Sequence, residues 1–397
     1  MPRSVGSPGR RDTLALLART LREHGPASRA RLAVLTGLPK ATVSTLVVEL
    51  ARRGLVRVAG RVELLPRTAF GIGVEVRLTR VVATAVDLDG GTRLSRQAVC
   101  EPAALRVEEV ADRIGWVIAE LSADVRAAGG WVCGITVVAP GLIDTEHGVV
   151  RLAPRLRWRE VALLDTVAAR TGLPLELLAL GNDANLAALA EHRADPVPDL
   201  LCLVGDHGVG AGVVADGVLV RGASGYAGEV GHMALEPLGP YCACGRRGCW
   251  EACVGFDALL HAVAAPGDPL LDPALDAAES LAVVRARASA GDWRALDGLH
   301  RIGAALGTGV AILATLLNPT AVVLGGYFAA LAEWLVEPVR AEVAAGPVAA
   351  AAVPSVRASA LGASAAGAGG ALLALERAFD DPARSGPDHH DHEEAPA

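Results

Sequence analysis

Residues 229–252 read EVGHMALEPLGPYCACGRRGCWEA, and the fold follows from how this stretch is understood. His232, Cys242, Cys244 and Cys249 are one imidazole and three thiols, the donor set of a closed tetrahedral zinc site. The Cys-x-Cys-Gly-x-x-Gly-Cys spacing lets the chain turn tightly around an ion, because Gly245 and Gly248 can take backbone angles that other residues avoid. The alternative is a set of reduced core cysteines with an incidental histidine. A stretch so rich in Gly, Arg and Pro is a poor core segment, so a structural zinc ion is expected. The cysteine count agrees. Seven is odd, and Cys242, Cys244, Cys249 and Cys253 crowd together, which argues for a metal cluster and against a secreted disulfide framework. Cys100, Cys133 and Cys202 fall in apolar, strand-like runs and are expected to be ordinary buried thiols.

Working outward, 397 residues exceed one ordinary domain, and a hydrophobic content of 52% supplies large cores. Aromatic residues make up only 3%, so Ala, Val and Leu must do most of the packing. Charged Arg10, Arg11 and Asp12 precede any apolar run, unlike a signal peptide. The longest apolar stretch, between Arg301 and Asn318, is shorter than the ~20 residues of a spanning helix and contains Gly303, Gly307 and Gly309. It reads as a buried core helix. A cytoplasmic protein without a membrane partner is expected.

Charge is uneven along the chain. Up to Arg67, thirteen basic residues face four acidic ones (Asp12, Glu23, Glu49 and Glu63). The head is therefore +9, and the remainder carries −16 of a total of −7. A basic head on an acidic body points to nucleic-acid contact confined to the head. Leu14, Leu17, Ala18 and Leu21 lie at helical spacing. In ASRARLAVLTGL (27–38), Ser28 is a candidate N-cap, Leu32, Ala33 and Leu35 face inward, and Gly37 ends a second helix. PKATVSTLVVELARRGLV (39–56) predicts a third, with Pro39 at its first position and a core stripe of Val43, Leu46, Val47 and Leu50. LVRVAGRVEL (55–64) predicts a hairpin about Ala59-Gly60, a wing. This order is that of a winged helix-turn-helix bound to a double-stranded operator. Lys40, Ala41, Thr42, Ser44 and Thr45 would approach base edges, while Arg29, Arg31, Arg52, Arg53 and Arg61 would position the head on phosphates. The competing reading is a three-helix packing domain with a solvated basic face.

From Phe70 the texture becomes α/β. FGIGVEV (70–76), RVVATAVDLDG (80–90) and VCGITVVAPGLID (132–144) read as strands, with VEEVADRIGWVIAELSADVRAAG (107–129) as a helix between them. Further motifs are GNDANLAALAEH (181–192), GVGAGVVADGVLVRGASGYAGEVGH (208–232), NPTAVVLGG (318–326) and GAGGALLAL (367–375). Together with the cysteine motif, these resemble the ROK family of repressors, open reading frames and kinases. The resemblance runs from the head to near residue 376. It implies a two-lobed, actin-like (ribonuclease H-like) sugar-kinase fold. The expected bounds are a head at 1–67, a first lobe at 68–180 joined by a C-terminal helix at about 362–378, a second lobe at 181–361, and a disordered acidic, His-rich tail at 379–397.

The resemblance also implies a sugar pocket between the lobes, lined by Gly141, Asn182, Asp183, Glu229, His232 and Glu251. Sugar hydroxyls donate to such carboxylates. His232 would touch sugar through one ring nitrogen while zinc holds the other, a positioning role for the metal. In kinases of the family the residue matching Asp183 is the general base. Two functions remain open. One is a sugar-responsive transcriptional regulator, a repressor of carbohydrate genes. The other is an ATP-dependent, glucokinase-like sugar kinase with a DNA-binding head. The phosphate loops favour the regulator. Where family kinases carry Asp-x-Gly-Gly-Thr this chain has EVRLT (75–79), and where they carry Gly-Thr-Gly it has Asp206-His207-Gly208. Both departures put side chains where backbone amides must approach phosphate. A homodimer or higher homo-oligomer is expected from two-fold operators. VAAPGDPLLDPALDAAES (263–280) reads as a surface loop without chemistry.

Overall fold

The computed structural model describes residues 10–272, 275–346 and 353–382. The head comprises α1 (Arg10–His24), α2 (Arg29–Thr36), α3 (Lys40–Arg52) and an antiparallel hairpin of β1 (Val56–Ala59) and β2 (Arg61–Leu64). The residues at helical spacing explain it: Leu14, Leu17 and Leu21 from α1 meet Leu32 from α2 and Val43, Leu46, Val47 and Leu50 from α3 in one core. Ser28 Oγ accepts from Arg31 N and caps α2, and Gly37 closes it in a left-handed conformation. Two details differ from expectation. Pro39 is the N-cap of α3 and not its first helical residue. Leu35 is only half-buried, because an eight-residue helix turns little more than Leu32 fully inward.

The first lobe runs through β3 (Ala69–Val76), β4 (Arg80–Asp87), β5 (Thr92–Val99), α4 (Val107–Ala127), β6 (Trp131–Ala139), β7 (Leu142–Asp144), β8 (Val149–Ala153), β9 (Trp158–Val161), α5 (Leu163–Thr171) and β10 (Leu178–Asn182). Then α6 (Asp183–Ala194) leads to β11 (Leu200–Gly205), β12 (Val209–Ala215) and β13 (Val218–Leu219). Next come α7 (Trp250–Val254), α8 (Phe256–Val263), α9 (Ala277–Ser289), α10 (Trp293–Leu317), β14 (Ala321–Gly326), α11 (Tyr327–Ala330), α12 (Ala332–Ala345), β15 (Ser355–Ala358) and α13 (Ala365–Asp380). The two large sheets have strand orders β5-β4-β3-β6-β10 and β13-β12-β11-β14-β15. In each, three antiparallel strands are followed by two parallel ones, so the lobes repeat one topology. The first hairpin turns of the two lobes, at residues 77–79 and 206–208, therefore occupy equivalent places, and both line one cleft.

Alternation along β3 assigns its two faces. Ile72, Val74 and Val76 join the α4 core, whereas Gly71 and Gly73 abut α13. A Cβ on Gly73 would stand 2.0 Å from Gly367 O, so the helix backbone lies directly on the strand. α13 also packs on α6, and the pair forms the joint between the lobes. Helix α10 extends well before the apolar run, to 25 residues, and its length and composition alone would permit a membrane crossing. Half of its apolar window is buried within the protein, with Leu299, Leu306 and Val310 among α8 and α12 residues.

The far end of α13 revises the expected tail. Phe379 and Asp380 are helical, and Phe379 is 1% exposed in the head's own core, together with Leu375, Ala378, Trp131 and Leu88. Arg22 pairs with Glu376, Arg19 with Asp380, and Arg11 with Asp381 at 3.1 Å. Head and first lobe thus share a core across α13. The acidic, His-rich stretch from residue 383 onward lies outside the described residues. Cys133 and Cys202 are buried in β6 and β11, but Cys100 is half-buried just beyond β5, an edge strand with a mostly polar, exposed face. The 263–280 stretch is also more than a surface loop: Leu270 is buried, and Asp268 makes a bidentate pair with Arg287.

Candidate functional site

The cleft floor is built where β10 meets α6. Asn182 N-caps that helix: its Oδ1 accepts from Asn185 N at 3.0 Å, and its Nδ2 donates to Gly141 O at 3.1 Å. Gly141 has φ +96°, and a Cβ there would meet Leu152 O at 2.2 Å, so glycine is required to bring the Gly141 carbonyl to Asn182. Asp183 opens α6, with Oδ1 accepting from Ala184 N at 2.8 Å. The Asp183 carboxyl faces the cleft but is otherwise enclosed by protein. This desolvation raises its pKa to about 7, with Glu75, Asp206 and Glu229 adding repulsion. Burial likewise raises Glu229. Gly141, Asn182, Asp183, Glu229, His232 and Glu251 all line one cavity of about 150 Å³.

His232 Nε2 lies 3.8 Å from Glu229 Oε2, while Nδ1 lies 3.6 Å from Glu251 Oε1 and 3.8 Å from Cys242 Sγ. The ligand atoms of His232, Cys242, Cys244 and Cys249 all fall within 4.8 Å of one another. Cys244 Sγ and Cys249 Sγ are 3.6 Å apart. Four donors at ~2.0–2.3 Å from a shared centre have tetrahedral edges of just under ~4 Å, so the cluster can hold a metal ion. The loop is stiffened by Cys242 N donating to Arg246 O at 2.8 Å and Gly248 N to Pro240 O at 2.8 Å. Cys253 stands apart from these four. Half-buried near Glu236, its thiol is pushed up to about 11 by burial.

Arg77 fills the first hairpin turn. Its guanidinium bonds Glu75 Oε2 at 2.7 Å and the carbonyl of Ala363, just before α13. Burial alone would lower its pKa, but Glu75, with Asp206 and Asp183, more than offsets this and holds it charged. In the opposite turn, His207 Nδ1 is 3.3 Å from Asp257 Oδ1, and its ring meets Phe256 edge-on at 5.3 Å. Arg155 crosses from the first lobe to bond Asp257 Oδ2 and His207 O, each at 2.9 Å. The sequence did not single out Arg155 or Asp257. Their pairing joins residues 102 positions apart and carries no local signal.

On the head, Arg29, Arg31, Lys40, Ala41, Thr45, Arg52 and Arg61 are exposed, and Thr42 and Ser44 are half-buried. Arg53 is different. It bonds Glu49 Oε1 at 3.1 Å with its side chain only 19% exposed, and Arg10 holds the other Glu49 oxygen. That geometry makes Arg53 part of the head's internal ion-pair network, in contrast to its expected place on phosphate.

The ROK family model matches residues 71–377, and the IclR helix-turn-helix domain model matches residues 13–60. The xylose repressor of Bacillus subtilis (strain 168) is 28% identical over 344 residues, covering 83% of this chain and 85% of that protein. A ROK family transcriptional regulator described as a homolog of the E. coli MLC protein superposes with a TM-score of 0.77 at 23% identity, over 93% of this chain and 96% of its own. A ROK family glucokinase from Streptomyces griseus, solved with glucose and AMPPNP, gives a TM-score of 0.67 at 30% identity, over 77% of this chain and 99% of its own. With one family model spanning both lobes and a second the head, the chain belongs to the ROK family and carries an IclR-type helix-turn-helix at its head.

Proposed function

We propose that this protein is a sugar-responsive transcriptional repressor without useful kinase activity. The observation that carries this reading is Arg77, whose guanidinium, tied to Glu75 and Ala363, occupies a turn where a kinase needs bare backbone around phosphate. In this reading α3 enters the major groove by its exposed N-terminal face, with Lys40, Ala41, Thr42, Ser44 and Thr45 nearest the bases. Arg29, Arg31, Arg52 and Arg61 rest on phosphates. Sugar hydroxyls bind Asn182, Asp183, Glu229, His232 and Glu251 beside the Gly141 loop. Through α6, which begins at Asp183, and α13, which ends in the head's core, a change of lobe angle reaches the DNA-binding helices. Both partners of a two-fold operator are supplied by a homodimer.

Zinc is the metal that suits His232, Cys242, Cys244 and Cys249: three thiolates and one imidazole make a closed structural site, and zinc bound there supplies rigidity, not reactivity. His232 binds it through Nδ1, the nitrogen facing Cys242, which leaves Nε2 toward Glu229 and the cleft. The kinase reading retains one specific support, an Asp183 carboxyl poised near neutral pH as a general base would be.

The test is fluorescence-anisotropy titration of the full chain against DNA fragments carrying a palindromic site selected from a random pool. Affinity falls steeply with salt, with a slope of about −0.9 per phosphate neutralised. The relative named a xylose repressor makes D-xylose the first effector to add, followed by D-glucose and N-acetylated hexosamines. Undiminished DNA binding after removal of residues 1–67 would overturn the reading.

A further inference from the structure

A second, larger cavity adjoins the cleft. Its volume is about 600 Å³ against about 150 Å³ for the cleft, and Arg155, His207, Ala243 and Glu251 line both. Small-molecule sites usually occupy about 300–1,000 Å³, so the cleft alone has room for one small ring and the adjoining cavity has room for more. The two cavities meet where Arg155 reaches across to Asp257 and His207.

The lining of the larger cavity indicates what it takes. Two guanidiniums, Arg155 and Arg301, face three carboxylates, Glu236, Glu251 and Asp257, an excess of negative charge that favours an uncharged ligand over an anion. His207, Asp257 and His261 offer donors and acceptors suited to hydroxyls. Tyr241 also lines the cavity and is 76% exposed, a large apolar ring left facing water. Its backbone is anchored in the cysteine loop by a bridge to Arg247, whose guanidinium lies 5.0 Å from the ring centroid. An exposed aromatic ring beside hydroxyl-binding groups suits the mixed apolar and polar faces of a sugar ring.

We propose that the cavity bounded by Tyr241, Asp257 and His261 is a second sugar subsite, so that the preferred effector is an uncharged disaccharide. One ring sits at Asp183 and the other against Tyr241, with the glycosidic link passing Arg155 and His207. The inference rests on the Asp183 cleft being a sugar site.

Isothermal titration of the full chain against D-xylose, D-glucose, xylobiose, cellobiose, maltose and sucrose tests it. At least one disaccharide is expected to bind ten-fold or more tightly than its component monosaccharide. Tyr241→Ala and His261→Ala should each remove most of that advantage and leave monosaccharide affinity within two-fold. Both residues lie outside the cluster of metal ligands, and an unchanged melting temperature and metal content verify that each variant is folded. If monosaccharides bind and no disaccharide binds more tightly, the subsite is refuted and the sugar reading stands. Equal losses for one ring and two rings refute it as well. If sugars of neither length bind, the sugar reading falls and takes the subsite with it.

Discussion

The guanidinium of Arg22, on the first helix of the head, lies 4.3 Å from the ring centroid of Phe379, near the end of the last helix described. The same guanidinium pairs with Glu376. Phe379 is thereby a structural element of the head. Phe379→Ala should cost about 3–5 kcal/mol, read as a lower urea midpoint, with earlier proteolytic cleavage near Arg67. An unchanged midpoint would show that the head does not depend on this ring.

Gly73 should tolerate no side chain. A Cβ would meet Gly367 O at 2.0 Å and Ala371 N at 2.6 Å, both backbone atoms that cannot rotate away. Gly73→Ala is expected to destabilise by about 3 kcal/mol or more, measured by chemical denaturation. Stability within error of the parent would mean that α13 sits farther from β3.

Purified protein should contain one zinc ion per chain by elemental analysis. Cys244→Ser should lose it, and Cys253→Ser, outside the ligand cluster, should keep it. With zinc gone, His232 is no longer held and sugar affinity should fall at least ten-fold. Full sugar affinity in the metal-free protein would break the link between the two.

Asp183 sets a pH dependence. Its carboxyl titrates at about 7 in the folded protein, well above the value of an exposed aspartate, mainly through desolvation. The stability of the ligand-free protein gained from this group is present in full below about pH 4 and is lost as pH rises through about 7. Asp183→Asn has no proton to lose, so the variant should gain on the parent between pH 5 and pH 8 in urea melts. Parallel curves for the two proteins would show that the carboxyl is ordinary.

ADP release with magnesium, ATP and a sugar panel should stay far below the ~1–10³ per second of ordinary enzymes. Arg77→Gly removes the guanidinium but restores neither the missing glycine at Leu78 nor the Asp206-His207 turn, so it should not create a kinase. Turnover in the enzyme range that disappears with Asp183→Asn would establish the kinase reading.

Much of this was legible from spacing. The i, i+3, i+4 pattern of Val43, Leu46 and Val47 marked the core side of α3, and four donors within one short motif marked the metal cluster. The same local logic could have placed Arg53, since Glu49 lies one helical turn before it. Other features required the fold. The Asp-, Pro- and Gly-containing run after Phe379 masks a helix end whose apolar partners come from Leu88 and Trp131. Arg155 meets Asp257 only because the lobes close on each other, and the cavity at Tyr241 is assembled from segments spanning residues 155–305.

The seating of α13 against β3 has a consequence for how the protein is made. Arg19 and Asp380, which close the junction between head and lobe, lie 361 positions apart. During synthesis the three head helices emerge early and can assemble their own contacts, but α13, the helix that fills the glycine gap, is translated long after β3. Until then Gly71 and Gly73 lack their covering helix, and the head lacks the contacts that Phe379, Glu376 and Asp380 make with it. A stalled or prematurely terminated copy therefore carries the helix-turn-helix head without the helix that seats it on the first lobe.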